Sequence, residues 1–324
     1  MKKAEIIILI LIPSLIFGDL KEEFELFKAK YDKVYSSKEE NDYRFKIFSE
    51  NTKMINERNA NSSLSYTLKM NEFGDLGRED FRKLENREIE EIEEMEAKGS
   101  VFTEEVASEG FIIDWQKRGK VSPVKDQFGC GSCYAFCAIS AVESLYAIKY
   151  KKRIQFSEQQ ILDCTRDYGN KGCIGGTMTQ SFQYIIENGI STASSYPYVR
   201  YEKQCRPNLK QIPAKINGFG VVDPFNNDDM LARLMHQPLS ICLFAGDSFL
   251  NYTGGIFDDP EPPPECNHCG LLVGAGTENG IPFWRIKNSW GTQWGEAGYI
   301  RILRETGIKR GIILLNLHAS YPLI

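Results

Sequence analysis

Between residues 19 and 60, apolar side chains recur at helical spacing among charged ones: Phe24, Phe27 and Tyr31, then Phe45, Ile47, Phe48 and Ile55. That period predicts a small helical unit, 19–84, with one apolar stripe to bury. Asn61-Ser62-Ser63 ends the run, and alternation across 64–73 predicts a short strand. A glutamate-crowded segment, 85–109, reads as a solvated linker open to proteolysis. From about residue 110 the pattern becomes globular. Residues 135–149 predict a buried helix, and 157–163 and 177–188 shorter ones, the last stopped by Gly189. After Pro213 the pattern turns β-branched and alternating, predicting strands at 216–222, 239–244, 271–275, 283–288 and 299–303. Helices followed by strands define an α+β body with a helical half and a sheet-rich half. No internal repeat is visible.

Composition sharpens this picture. The chain has 324 residues, 42% hydrophobic and 26% charged, which excludes a disordered chain and fits two domains. A chain of that length does not need disulfides to fold, yet it holds nine cysteines and only three histidines. Lys2 and Lys3 precede an apolar run, 6–17, and Gly18 stands before charged Asp19, the layout of a signal peptide at 1–18. Pro13 and the short run argue against a membrane anchor. An oxidising compartment then makes disulfides the default use of cysteine. Segment 19–109 carries 15 Lys/Arg against 24 Asp/Glu, whereas 110–324 carries 22 against 19. An acidic segment thus precedes a mildly basic body, without the dense basic face of a nucleic-acid binder.

The chemistry concentrates at Gln127-Phe128-Gly129-Cys130-Gly131-Ser132-Cys133, where a glycine-rich loop runs into the buried helix. Unpaired N–H groups and the helix dipole there favour an anion, so the Cys133 thiol ionises more readily and becomes a nucleophile. Its base must come from far along the chain, and His268 and Asn288 are the candidates. Two other uses of cysteine are open to the pattern. Cys130-x-x-Cys133 and Cys266-x-x-Cys269 could spell a four-cysteine zinc site, and Cys130/Cys133 a redox pair. The oxidising compartment weighs against the first, and the missing β-α-β surroundings against the second.

These residues resemble the papain family of cysteine proteases. Cys130-Gly131-Ser132-Cys133-Tyr134 is the family's nucleophile signature. Asn267-His268, running to Val273-Gly274-Ala275-Gly276, resembles its histidine motif. Asn288-Ser289-Trp290-Gly291, followed by Trp294-Gly295 and Gly298-Tyr299, resembles its asparagine motif. Cys173-Ile174-Gly175-Gly176, Tyr196-Pro197-Tyr198 and Ala319-Ser320-Tyr321-Pro322 also fit, so the likeness covers nearly all of 110–324. Upstream, Glu40, Arg44, Phe48, Asn51, Ile55 and Asn59 keep the spacing of the ERFNIN helix, a mark of the cathepsin L-like branch. Asn71, Phe73 and Asp75 match the second propeptide motif, with Lys69 where many members have glycine.

The resemblance implies a two-lobed fold, helical on one side and β-barrel-like on the other, with the active-site cleft between. It implies Cys133 as nucleophile, His268 as its imidazolium partner and Asn288 as the group orienting the imidazole. Gln127 and the Cys133 N–H would form the oxyanion hole. Trp290 would shield the His–Asn bond, and Gly175 and Gly176 would offer bare backbone to an extended substrate. His318 would fall at the base of the S2 subsite, narrowing it and making its preference pH-dependent. The implied disulfides are Cys130–Cys173 and Cys164–Cys205. The family's third bridge would start near Cys266, but its partner position holds Arg310, and a bridge among Cys242, Cys266 and Cys269 stays open. Cys137, Cys242 and Cys269 fall in apolar contexts, as small buried hydrophobes do. Three departures bear on rate: Tyr134 for the usual Trp, Phe128 for a small Gly, where it could crowd the site, and Cys269 for the usual Ala. The other class of reading is a catalytically impaired homologue that binds peptides or inhibitors.

The chain is therefore expected to be a cysteine endopeptidase made as a zymogen, with signal peptide 1–18, inhibitory propeptide 19–109 and mature peptidase 110–324. The mature length leaves no room for a large occluding insertion, which favours an endopeptidase over an exopeptidase. The resemblance implies no cofactor and no metal. It implies polypeptide substrates, the propeptide as intramolecular inhibitor, cystatin-like inhibitors, no membrane once the signal is removed, and a monomer in the lysosome or outside the cell. The acidic propeptide and basic body attract at neutral pH, and the expected trigger is acid, which would protonate the glutamates of 88–96 and weaken that hold, after which the linker 85–109 is cut. His236 reads as a surface residue, and Asn61 and Asn251 head glycosylation sequons.

Overall fold

The computed structural model describes residues 14–77, 80, 110–206, 214–259, 265–304 and 311–324, with side chains from residue 20 onward. The acidic linker, Arg310 and most of the signal segment lie outside these residues. Helices α1 (Ser14–Lys30) and α2 (Lys38–Ala60) share one aromatic cluster built on Phe24, Phe27 and Phe48. Ser37 caps α2 by accepting from Glu40 N, and Glu40 reaches back to accept from Ser36 N at 2.8 Å. Strand β1 (Tyr66–Leu68) follows, pairing antiparallel with β5 (Tyr252–Phe257). The strand expected over 64–73 is shorter because Asn71 breaks it. Its side chain accepts from Phe73 N and so folds the chain into a turn.

The body begins with β2 (Gly110–Asp114), then helices α3 (Cys133–Lys149), α4 (Glu158–Cys164) and α5 (Met178–Asn188). Ser157 and Thr177 cap the last two, and Gly189 ends α5 at φ 74. The second half adds β3 (Gly218–Val221), α6 (Asn227–Leu234), β4 (Leu239–Leu243) and the one-turn α7 (Asp247–Leu250). It continues with β5, β6 (His268–Glu278), β7 (Ile281–Lys287), β8 (Tyr299–Leu303) and β9 (Ala319–Leu323). The sheet runs β1-β5-β8-β7-β6-β4-β9-β3, with β2 also on β6. All pairs are antiparallel except β5 with β8.

β6 holds the two halves together. It sends Leu272 and Ala275 into the sheet core with Ile241, Trp284 and Ile300. It sends Cys269, Leu271 and Val273 into the helical core with Ala138, Val142, Phe156 and Phe182. Burial on both faces explains its near-continuous apolar sequence. Gly274 and Gly276 let β2 close on it, since a Cβ at either would sit 2.7 or 2.6 Å from a β2 carbonyl oxygen. The first residue of β6 is His268, which thereby stands where the two cores meet.

Candidate active site

Cys133 is the first residue of α3 and is fully buried. Ser132 precedes it but does not cap the helix with its side chain. Its hydroxyl bonds Tyr198 Oη instead, at 2.8 Å. The first-turn N–H groups of α3 therefore have no side-chain cap, and their partial positive charge bears on the Cys133 sulfur.

His268 Nε2 lies 2.7 Å from Asn288 Oδ1. Ser289 N also donates to that oxygen, at 2.8 Å, which fixes the amide with its oxygen toward the imidazole. Nε2 must then carry the proton of this bond, leaving Nδ1 as the basic nitrogen of the neutral ring. The Trp290 ring lies over the imidazole, centroids 4.5 Å apart and planes tilted by 33°. Phe249 and Trp294 pack against Trp290 from behind, so the His–Asn bond sits in an aromatic, water-poor enclosure.

The loop before Cys133 is strapped to this group. Asp126 bridges to Trp290, and Gln127 N donates to Ser289 O at 2.9 Å. Ser289 Oγ donates to Gln127 Oε1 at 2.6 Å, while Gln127 Nε2 donates to Cys130 O at 3.0 Å. The Gln127 amide is thus held with its NH2 end toward the Cys130–Cys133 loop. Sequence reading missed Ser289 and Tyr198 as positioning groups. Each stands inside a recognised motif, but which hydroxyl meets which partner depends on the folded register.

The structure contains disulfides Cys130–Cys173 and Cys164–Cys205. The first draws the 172–176 loop to the Cys130–Cys133 loop, and Gly131 N donates to Cys173 O. It also removes Cys130 from any zinc or Cys130/Cys133 redox pairing. Gly175 and Gly176 follow, buried, and a Cβ on Gly176 would meet Asn170 Oδ1 at 2.2 Å. Cys137, Cys242, Cys266 and Cys269 are free and buried like Cys133. His318 stands just before β9, half-buried, and burial pushes its pKa below the usual histidine value. His236 is exposed.

Phe128 does not crowd the site. It is 46% exposed, with the Arg200 guanidinium stacked on its ring at 3.5 Å. Its φ of 53° explains why glycine is the easier residue there. Tyr134 is fully buried and donates to Gly172 O at 3.2 Å, so it braces the 172–176 loop.

The propeptide closes over this arrangement. Asn71 Nδ2 donates to Leu250 O at 2.7 Å, Lys69 N to Asn251 O at 2.8 Å, and Phe73 packs on Trp290 at 5.0 Å. Lys69 is tolerated because its side chain is exposed. The six helix positions each have work to do. Glu40 closes the cap, Arg44 pairs with Asp80 at 2.9 Å, and Phe48 and Ile55 are buried. Asn51 donates to Gly74 O and Leu76 O, and Asn59 bonds both backbone groups of Leu68.

Comparison with known proteins agrees with this picture. Residues 111–321 match the papain family cysteine protease, and residues 24–81 match the cathepsin propeptide inhibitor domain. Digestive cysteine proteinase 2 of Homarus americanus is 37% identical over 93% of this chain and 94% of its own. A cathepsin L-like proteinase of Fasciola hepatica is 35% identical over 95% of each. The solved digestive procathepsin L 3 of Tenebrio molitor superposes with a TM-score of 0.82 at 32% identity, covering 94% of this chain and 99% of that one. The chain belongs to the papain family of cysteine proteases. It has the papain-like fold and the inhibitory propeptide of a zymogen, on the cathepsin L-like side of the family.

Proposed function

We propose that Cys133, His268, Asn288 and Gln127 carry the peptidase reaction. The observation that supports this most is the fixed His268–Asn288 bond under Trp290, taken together with the uncapped helix end that bears Cys133. The Cys133 thiolate attacks the scissile carbonyl carbon, while His268 holds the thiol proton on Nδ1. The carbonyl oxygen becomes an oxyanion, met by a Gln127 Nε2–H and the Cys133 N–H, where one donor is worth about 3–4 kcal/mol. His268 gives its proton to the leaving amine, and water then hydrolyses the acyl-enzyme. A labelling reaction with an epoxide-type thiol inhibitor tests this. The mature enzyme is expected to take one label, at Cys133, and Cys133→Ala none. Equal labelling of the variant would sink the assignment.

Substrates on this reading are extended polypeptides, lying along Gly175 and Gly176 and placing the second residue before the cut near His318. Because burial disfavours the charged imidazole, His318 stays neutral until the pH drops below the ordinary histidine value. Apolar second residues are favoured near neutral pH, and acidic ones gain as the ring charges. Selectivity between the two that does not change from about pH 4.5 to about pH 7 would count against this role.

Maturation near 107–110, action in a lysosome or outside the cell, a monomeric state and inhibition by cystatin-like proteins belong to the same reading. Among the described residues no helix is long and apolar enough to cross a membrane. Helix α1 begins at Ser14 and so runs through the proposed signal-cleavage point after Gly18.

A further inference from the structure

Four thiols beyond the disulfides lie in a chain that begins at the active site. Cys269, next to the catalytic histidine, packs in the helical core with Cys133, and the two thiols are close enough to shift each other's ionisation. Cys242 stands opposite Cys269 in the β4–β6 register. Its N–H turns away to His318 O, which makes Cys242/Cys269 a non-hydrogen-bonded pair, the close-approach position of an antiparallel ladder. Cys242 in turn packs with Cys266 and Leu314. The fifth free thiol, Cys137, is one helical turn beyond Cys133 but is turned away, donating to Gly270 O at 2.9 Å. Of the free cysteines, Cys269 is thus the one whose sulfur is placed against the nucleophile.

We propose that Cys269 is a resolving cysteine, which captures the oxidised nucleophile as a Cys133–Cys269 disulfide and so gives the protease a reversible redox off-state. The inference rests on Cys133 being the reactive thiol. The oxidant is a hydroperoxide, in the simplest case hydrogen peroxide. The Cys133 thiolate attacks one peroxide oxygen, the O–O bond breaks, and an S–OH bond forms. The hydroxide leaves as water with the proton held on His268. The Cys269 sulfur then attacks the sulfenic sulfur, the S–O bond breaks, and the hydroxyl departs as water with the Cys269 proton. Two thiols have lost two electrons, and one peroxide has become two waters. Two equivalents of an external thiol reverse the step.

The division of labour follows from the surroundings. The neighbouring Cys133 pulls the Cys269 pKa down, but Cys242 and burial outweigh it and hold the thiol well above its ordinary value. Cys269 is therefore a poor first target for peroxide, while contact makes it a fast partner for a sulfenic acid formed beside it. Without a neighbour, a sulfenic acid goes on to sulfinic and sulfonic acids, which thiols do not reduce.

The test treats acid-matured enzyme with hydrogen peroxide, then with dithiothreitol, alongside C269A, C269S and C242A. Alanine is the residue the family usually carries at 269, so C269A is expected to fold, and C269S keeps a polar group of similar size. Wild type and C242A should lose activity and regain most of it, with a peptide map linking Cys133 to Cys269. C269A and C269S should regain less than about a tenth, with Cys133 carried to the sulfinic or sulfonic acid. Equal recovery by wild type and C269A would overturn the proposal. So would a wild-type map that joins Cys269 to Cys242, or Cys242 to Cys266, and leaves Cys133 overoxidised. Epoxide labelling of untreated enzyme reports the identity of the nucleophile separately and stands whichever way the disulfide map falls.

Discussion

At the scale of single residues, the site is built from groups that fix one another's orientation. Asn288 shows this best, because its oxygen takes both the Ser289 N–H and the imidazole Nε2–H. Replacing it with alanine leaves the His268 N–H without a partner in an aromatic enclosure and frees the ring to turn. A hydrogen bond to a charged group is worth about 1.5–3 kcal/mol, so Asn288→Ala should lower kcat/KM by roughly 10- to 150-fold. Steady-state assays with a peptide substrate would measure it, with KM changed less than kcat. Phe128 is the opposite case. Its side chain faces solvent and its backbone is in the left-handed region, so Phe128→Gly should leave kcat/KM within about twofold. The variant's melting temperature should be unchanged or slightly higher, since relief of the positive φ offsets the lost Arg200 stack. A large loss of activity would show that Phe128 touches substrate after all. In the sequence only the resemblance separates these two residues, giving Asn288 a role and marking Phe128 as a departure that could crowd the site. Asn288 and Phe128 both sit in motifs, and φ and exposure tell them apart.

Secondary-structure elements were readable to the extent that their burial is one-sided or total. Strand β8 falls at its expected bounds, and α3, α4 and α5 shift by one or two residues, with Ser157 and Thr177 moving from first residue to cap. β2, β5, β9, α6 and the one-turn α7 were not read. In β5, Gly254 and Gly255 interrupt the apolar alternation, and the strand exists because β1 and β8 flank it. The overextended strand at 64–73 errs for a related reason. Alternation persists past Leu68, but the residues there face the enzyme rather than a strand of their own. The hinge of this element is Asn59, which bonds both the N–H and the carbonyl of Leu68 from α2. Asn59→Ala should leave both backbone groups short of a partner, at about 1–3 kcal/mol each, and detach β1 from its helix. The zymogen should then mature faster at a given acid pH, followed by the appearance of activity over time. An unchanged rate would mean that β1 is held by β5 alone.

On the scale of the whole molecule, propeptide and enzyme meet through charges whose signs do not all favour release in acid. Arg58 with Asp259 joins the two at 3.1 Å, and protonating that carboxylate would remove an attraction. Glu72 acts the other way. It lies beside Asp126, just before the loop that leads to Cys133, and burial, with the Asp126 charge added, holds its pKa above the ordinary carboxylate value. Burial raises Asp126 as well. A carboxyl whose pKa is raised on docking stabilises the docked state below its undocked value, and that contribution is lost as the pH rises through the raised one. This pair therefore weakens the zymogen near neutral pH and relaxes in acid, so the simple picture of acid dissolving an attraction between an acidic propeptide and a basic body is incomplete. Glu72→Gln removes the ionisable partner. The variant zymogen should hold its propeptide more tightly at about pH 7, with less spontaneous activity there, and should match the wild type once the pH is below the ordinary carboxylate range. Activation rates measured across that span should diverge at the neutral end and converge at the acid end. A variant that instead activates faster than the wild type near neutral pH, and still converges with it in acid, would mean that the Glu72 carboxylate contributes attraction, and that the acid trigger passes through this contact.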